Sequence, residues 1–382
     1  MSSRKIAVCS VGNPLASSTW SGTPSNICRA LAEVARLDVT LDSSTCAHSR
    51  IKYIANILSR CYYRCSDGTG RGYFHRYLRA RYINAFFKSR NSTDVLHTGT
   101  LDLPLPTVPH QIRHFLLCDS TWDLWRRSSS NTGVYSDKLI ADAERLEGMS
   151  YRQMSHIFPI SEYVRHNLMA HYMIPSECIT VVGSGRGAIK PYMGPKDYEN
   201  CTILFVAKER FEDKGGLLLL EGFKRARQCN PRLRLIIVGA ERNRQYIGDV
   251  PGVEVHGLVP LEELQSFFNQ AALFAMPALH EPWGLVYLEA LSCRTPVLGL
   301  NCNALPEITQ QGRFGFCLDE TSAQGVGEGL LEAFRLPKRL AQMGAEGQEN
   351  CLRHFTWRNT VRRIVEGIDN CCAVPAGGGL RN

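Results

Sequence analysis

Short apolar, β-branched runs alternate along the chain with longer stretches whose apolar residues recur every three to four positions. This is the signal of parallel α/β units. In the first half the runs predict strands at residues 5–11, 37–41, 94–98, 114–118, 156–160 and 179–182. In the second half they predict strands at 202–207, 233–239, 253–259, 273–277 and 296–300, with helices such as 217–228 and 261–271 between them. The helix at 24–36 has local signals of its own: Thr23 as a cap, Pro24 at the first helical position, and Ile27, Leu31 and Val34 as its buried stripe.

The pattern breaks at 187–200, where Pro191, Gly194, Pro195, Lys196 and Asp197 form a polar, Pro/Gly-rich linker. The expectation is two Rossmann-like domains, 1–188 and 196–355, with parallel sheets and a hinge near residue 190. Ligands in such a fold bind at the carboxyl ends of the strands, here facing an inter-domain cleft. A length of 382 residues suits two domains of ordinary size, and 44% hydrophobic with 21% charged residues is an ordinary globular composition. The first residues lack the apolar core of a signal peptide, and no window reaches the roughly 18 apolar residues of a membrane span. A cytoplasmic protein is expected.

Fifteen cysteines are scattered without a CxxC pair, so they read as reduced thiols rather than a disulfide framework or a zinc site. The net charge of +8 is concentrated: residues 50–90 hold ten Lys/Arg against one acidic residue, Asp67. Around Tyr73, Phe74, Tyr77, Tyr82, Phe86 and Phe87, the basic residues Arg76, Arg79, Arg81 and Lys88 interleave at helical spacing. No nucleic-acid module matches this, and no nucleic-acid partner is expected. An interfacial helix on anionic lipid heads or a contact with a lipid-linked acceptor fits, and so does a solvated basic helix packing its aromatics on the first domain.

The strongest chemistry lies after the predicted strand 273–277. Glu281 falls in the loop at its carboxyl end, and Glu289 lies about two turns into the following helix. Between them Trp283, Gly284 and Leu285 bring the first free helix amides together, a natural anion site. Two glutamates flanking a bound diphosphate can accept hydrogen bonds from sugar hydroxyls on one side and ribose hydroxyls on the other. Taken alone, two solvated glutamates on a helix would read the same.

The string from Glu281 to Ile308, EPWGLVYLEALSCRTPVLGLNCNALPEI, resembles the family-4 glycosyltransferases with their E-x7-E element. The resemblance implies a GT-B-like α/β fold and a retaining transferase acting in glycan biosynthesis, whose first glutamate contacts the donor sugar and whose second binds the ribose. Arg294 stands where that family usually has glycine. The run Phe205 to Gly216 resembles the family's basic phosphate-binding loop, which assigns Lys214 to the donor phosphates, with Lys208 or Arg210 as its partner. Ser21-Gly22-Thr23 resembles the family's glycine loop, placing Gly22 near the donor phosphates. Asp119 is the corresponding acidic residue on the acceptor side, with Cys118 where many relatives have histidine. His97 is either an acceptor contact or a satisfied strand-end histidine. His354-Phe355-Thr356-Trp357 and the helix 356–372 resemble the family's C-terminal helix that crosses back to the first domain.

Two other patterns fail on context. Gly183-Ser184-Gly185-Arg186-Gly187-Ala188 fits a dinucleotide fingerprint, but Pro191 and Pro195 prevent a helix from opening after it. His280-Glu281 begins a metalloprotease motif that ends at Gly284 instead of histidine. No Asp-x-Asp occurs, so no metal is required. The expected reaction moves a sugar from a UDP- or GDP-sugar to a saccharide or lipid-linked acceptor, with Glu281, Lys214 and Asp119 as the catalytic set. A sugar-nucleotide epimerase or a non-catalytic sugar-nucleotide-binding protein would share the architecture.

Overall fold

A computed structural model describes residues 4–45, 49–65, 70–99, 112–128, 135–208, 210–239 and 241–373. The chain divides into two compact units: residues 1–185 together with the C-terminal stretch from Trp357, and residues 186–356.

The first unit carries β1 (Lys5–Ser10), β2 (Arg36–Asp42), β3 (Asp94–Thr98), β4 (Arg113–Cys118) and β5 (His156–Pro159), in the spatial order β2-β1-β3-β4-β5. Every pairing is parallel. Its helices are α1 (Thr23–Val34), α2 (Ser49–Tyr63), α3 (Tyr73–Ser89), α4 (Trp122–Ser128), α5 (Asp137–Tyr151) and α6 (Glu162–Ala170). Burial on both faces explains the continuous apolar run from Phe115 to Cys118 in β4, and β3 is buried along its whole length.

The second unit holds β6 (Thr202–Ala207), β7 (Arg234–Gly239), β8 (Val253–His256), β9 (Leu273–Ala275), β10 (Val297–Leu300) and β11 (Gly315–Leu318), ordered β11-β10-β9-β6-β7-β8 and again all parallel. Around it run α7 (Gly216–Cys229), α8 (Arg244–Ile247), α9 (Leu261–Gln270), α10 (Leu285–Ser292), α11 (Leu305–Ile308), α12 (Ala323–Arg335) and α13 (Pro337–His354). The order reverses at β6 and β9, whose following loops carry Lys208, Lys214 and Glu281, with Glu289 in the helix after the second loop.

The last helix, α14 (Trp357–Ala373), belongs to the first unit. Val361, Ile364 and Ile368, spaced three and four apart, are fully buried. Arg363 donates to the Val182 carbonyl at 3.0 Å, and Arg4 pairs with Asp369 at 2.6 Å. Among the described residues no helix is long and apolar enough to cross a membrane. Each described cysteine is a free thiol.

Four sequence expectations change. The run at 179–182 forms a single bridge from Ile179 to Ile157 rather than a strand, although Thr180 and Val182 donate to the backbone of β5 at 3.0 Å each. The edge strand β11 carries too short an apolar run to stand out in sequence. Gly22, at φ +80°, takes the cap position expected of Thr23, which becomes the first helical residue. The basic residues of α3 and the segment before it do not all face solvent, because Arg76 is fully buried and Arg71 nearly so.

Glu147 on α5 explains that last burial. Its carboxylate pairs with Arg76 at 3.2 Å and Arg71 at 3.6 Å, and accepts from the Trp122 amide at 2.8 Å and from the Tyr151 hydroxyl. Removing one member of a buried ion pair strands the others in a low-dielectric interior, at a cost of about 3–5 kcal/mol. Glu147→Ala is therefore expected to destabilise the first unit by about that amount in urea unfolding followed by tryptophan fluorescence. An unchanged midpoint would show that the triad is not needed for folding.

Candidate active site

In the second unit two loops at the carboxyl ends of β6 and β9 lock together through their backbones. The Asp213 carbonyl accepts from the Leu279 amide at 3.0 Å and the His280 amide at 3.3 Å. Gly215, at φ +76°, caps α7, and a Cβ there would lie 1.9 Å from the Pro277 carbonyl oxygen. Only glycine allows both the left-handed turn and so close a backbone approach.

This contact sets the side chains. Lys214 Nζ lies 3.0 Å from Glu281 Oε2, both side chains mostly buried. Lys214 also acts electrostatically on Glu289. Burial raises the Glu289 carboxyl above its ordinary range, against the lowering effect of the Ile189 and Ala188 amides and then of Lys214. Those amides donate to Glu289 Oε1 at 3.4 and 2.9 Å. The lysine and both glutamates thus form one electrostatic group at the amino ends of α7 and α10.

Gly284, at φ +84°, caps α10, and a Cβ on it would press on the Tyr287 ring at 2.5 Å. The Tyr287 hydroxyl donates to the Met276 carbonyl at 2.8 Å, tying the helix back to the end of β9. Leu285 opens α10, while Trp283 is buried edge-on against Phe355, with ring centres 5.9 Å apart. Burial, with Arg210 adding to it, lowers the pKa of His280 to about 4, so its imidazole is neutral at pH 7. The two candidate partners of Lys214 differ. Arg210, itself at φ +59°, is held by Asp213 at 2.9 Å, whereas Lys208 is exposed and forms no ion pair among the described residues.

Three features were missed in sequence. The Asp213 carbonyl acts through the backbone and has no side-chain signature. Phe355 meets Trp283 only through folding. Gly187 did leave a trace, in the glycine-rich run dismissed as a dinucleotide fingerprint: a Cβ on it would sit 2.0 Å from Glu289 Oε1. Arg294 adopts φ +56°, the left-handed turn that glycine would suit. The guanidinium donates to the Gly194 carbonyl, and its own carbonyl accepts from the Tyr198 hydroxyl at 2.7 Å.

The first unit has a separate cavity of about 320 Å³, lined by Ser10, Trp20, Arg71, Thr98, Asp119 and Trp125 among others. Trp20 and Ser21 precede Gly22 in left-handed conformations, at φ +42° and +53°. This turn aims the Trp20 indole N–H at Asp119 Oδ2, 3.1 Å away. Arg71 stacks on Trp122 and Trp125 at 4.5 and 5.0 Å. His97 is not on the cavity wall. It is fully buried with Nε2 2.8 Å from His114 Nδ1, the geometry of the strand-end alternative rather than of an acceptor contact. Gly22 is also buried and caps α1 without lining the cavity.

Residues 200–335 match the model of the glycosyl transferases group 1 family. The match lies wholly within the second unit. Over 168 residues the chain is 30% identical to the GDP-mannose-dependent alpha-(1-6)-phosphatidylinositol monomannoside mannosyltransferase of Mycolicibacterium smegmatis, covering 40% of this chain and 44% of that one. The chain spans less than half the length of the curated relatives it first matches. In fold it is similar to sucrose-phosphate synthase from Thermosynechococcus elongatus, with a TM-score of 0.71 at 15% identity over 97% of this chain and 99% of that one. It is also similar to Anabaena HepE in complex with UDP and glucose, with a TM-score of 0.63 at 13% identity over 96% and 99% of the chains. These likenesses show the GT-B fold, and the expected pair of Rossmann-like domains is the fold observed.

Gly187→Ala should push the Glu289 carboxylate off the Ala188 and Ile189 amides while leaving the Lys214–Glu281 pair in place. Isothermal titration with nucleoside diphosphates is expected to show at least tenfold weaker binding, equivalent to losing about 1.4 kcal/mol, with little change in melting temperature. Unaltered affinity would separate Glu289 from ligand binding.

Proposed function

We infer that the chain transfers a sugar from a nucleotide diphosphate sugar to an acceptor hydroxyl with retention of anomeric configuration. The observation that carries this reading is the grouping of Lys214, Glu281 and Glu289 at the free amides of α7 and α10. Cations and helix amides bind a diphosphate, and the flanking glutamates bind hydroxyls at its two ends. Lys214 leaves Glu281 for the phosphates as the donor enters, freeing the carboxylate for the sugar hydroxyls. Lys208, unpaired among the described residues, assists better than Arg210, which Asp213 already holds.

The acceptor oxygen attacks the anomeric carbon from the face the diphosphate leaves. The bond to the leaving phosphate oxygen breaks and that oxygen takes the acceptor proton, giving glycoside and nucleoside diphosphate. With the donor bound, both glutamates are engaged by its hydroxyls and neither serves as a covalent nucleophile, and the lysine neutralises the departing charge in place of a metal. UDP and GDP are the donor bases to test first, given the ligand of HepE and the name of the mannosyltransferase. The cavity around Asp119 is assigned to the acceptor, a saccharide or the saccharide head of a lipid. Its tryptophan faces suit a sugar ring, and Asp119 accepts from a hydroxyl. A lipid-linked acceptor would bring a cytoplasmic enzyme to the membrane surface.

Glu281→Ala and Lys214→Ala are each expected to lower transfer at least a hundredfold without changing the melting temperature, measured by nucleoside diphosphate release with a panel of UDP-, GDP- and ADP-sugars. Full activity in either variant would sink the assignment, as would an epimerised donor formed without acceptor. EDTA should leave the rate unchanged, and NMR of the product should show the anomeric configuration of the donor.

Because the Glu289 carboxyl is raised, it loses its charge at a higher pH than an ordinary carboxylate. Donor affinity is therefore expected to fall on acidification, starting above the usual carboxylate range, and Glu289→Gln should flatten this dependence. A wild-type affinity that is constant across that range would remove Glu289 from the donor site.

A further inference from the structure

Helix α2 presents its large apolar residues outward. Ile51, Tyr53, Ile54, Ile57, Leu58 and Tyr62 are between 44% and 67% exposed, whereas the residues it buries are Ala55, Ser59 and Tyr63. Ile51, Ile54, Leu58 and Tyr62 recur every three to four residues and so share one face. The helix is attached through small side chains and one tyrosine, whose hydroxyl donates to Asp142 at 3.1 Å and accepts from the Tyr73 amide at 2.9 Å. An outward apolar face of this size on a short helix is unfavourable in water and marks a contact surface.

The face continues onto α3 through aromatic rings. Tyr62 meets Phe74 with ring centres 5.8 Å apart, Phe74 meets Tyr73 at 5.8 Å, and Tyr73 stacks on the exposed Tyr77 at 5.9 Å. Charge identifies what covers it. After Asp42 the next acidic residue in the chain is Asp67, and between them lie Arg50, Lys52, Arg60 and Arg64. A second copy of the same basic face would be repelled, and an uncharged apolar partner would not need the charge. Apolar residues and tyrosines beside Lys/Arg are the composition of a helix lying in a membrane interface.

We propose that α2 is a membrane-docking helix: its Ile/Leu/Tyr face inserts shallowly into an anionic lipid surface, and its basic residues hold the headgroups. The proposal narrows the basic segment 50–90 expected in sequence to α2, because Arg76 on α3 and Arg71 just before it are committed to Glu147. The proposal does not depend on the donor chemistry, and its failure would leave the transferase reading intact.

The test is flotation of the full chain with vesicles. Wild type is expected to co-float with phosphatidylglycerol/phosphatidylcholine vesicles and far less with phosphatidylcholine alone, and 0.5 M salt should weaken the binding. Ile54→Asp/Leu58→Asp, both at exposed positions, is expected to lower anionic-vesicle binding by roughly tenfold or more while leaving the melting temperature and donor binding unchanged. Arg60→Glu should lower binding to anionic vesicles selectively. The proposal is overturned if wild type ignores anionic vesicles at low salt, or if the double variant binds as wild type does. It is equally overturned if sedimentation shows a dimer that the double variant dissolves and no vesicle binding accompanies it.

Discussion

The backbone contact between the loops after β6 and β9 is the constraint on which the candidate donor site rests. One carbonyl, that of Asp213, accepts from two successive amides of the opposite loop, and Gly215 removes the only atom that would hold the loops apart. Lys214 lies between these two anchored residues, so its direction follows from backbone hydrogen bonding rather than from side-chain preference. Glu281 is one residue beyond the amides that Asp213 holds. Their 3.0 Å pairing is a consequence of the loop contact, not its cause, and a competing anion can displace one partner without disturbing the scaffold.

Glycine appears in this unit where backbone must approach backbone or a carboxylate. Gly187 lets Glu289 reach two amides, and Gly284 leaves room for the Tyr287 ring that fastens α10 to β9. Arg294 shows the opposite solution. The turn still requires a left-handed residue, costing a side chain roughly 1 kcal/mol, and the hydrogen bonds to Gly194 and from Tyr198 offset that strain.

The first unit organises its cavity differently, through buried charge. Glu147 holds Arg71 and Arg76 inside the fold, and Arg71 then supports Trp125 on the cavity wall. The same draw of a single carboxylate explains why the basic excess of residues 50–90 does not form one continuous surface. Part of it neutralises an interior anion, and part, Lys52 and Arg60, lies on α2 itself. The packing of the two helices is reversed: α3 buries Ile83 and Phe87, and α2 leaves its isoleucines outside.

Sequence alone determined the alternation of strands and helices, the parallel sheets, and the positions of Glu281 and Lys214 in loops after strands. Each of these depends on local periodicity, or on residues whose spacing places them at strand ends and helix caps. The position of Asp119 was legible for the same reason, since it follows a strongly apolar strand directly. Tertiary structure decided the rest, because those features depend on atoms far apart in sequence. It assigned His97 to His114 and the core rather than to a cavity, sent Arg71 and Arg76 to Glu147, and gave the glycine-rich run at Gly187 the task of admitting a carboxylate. It also decided which face of α2 meets solvent, which periodicity cannot tell, since an apolar stripe looks the same in sequence whether a core or a membrane is to cover it.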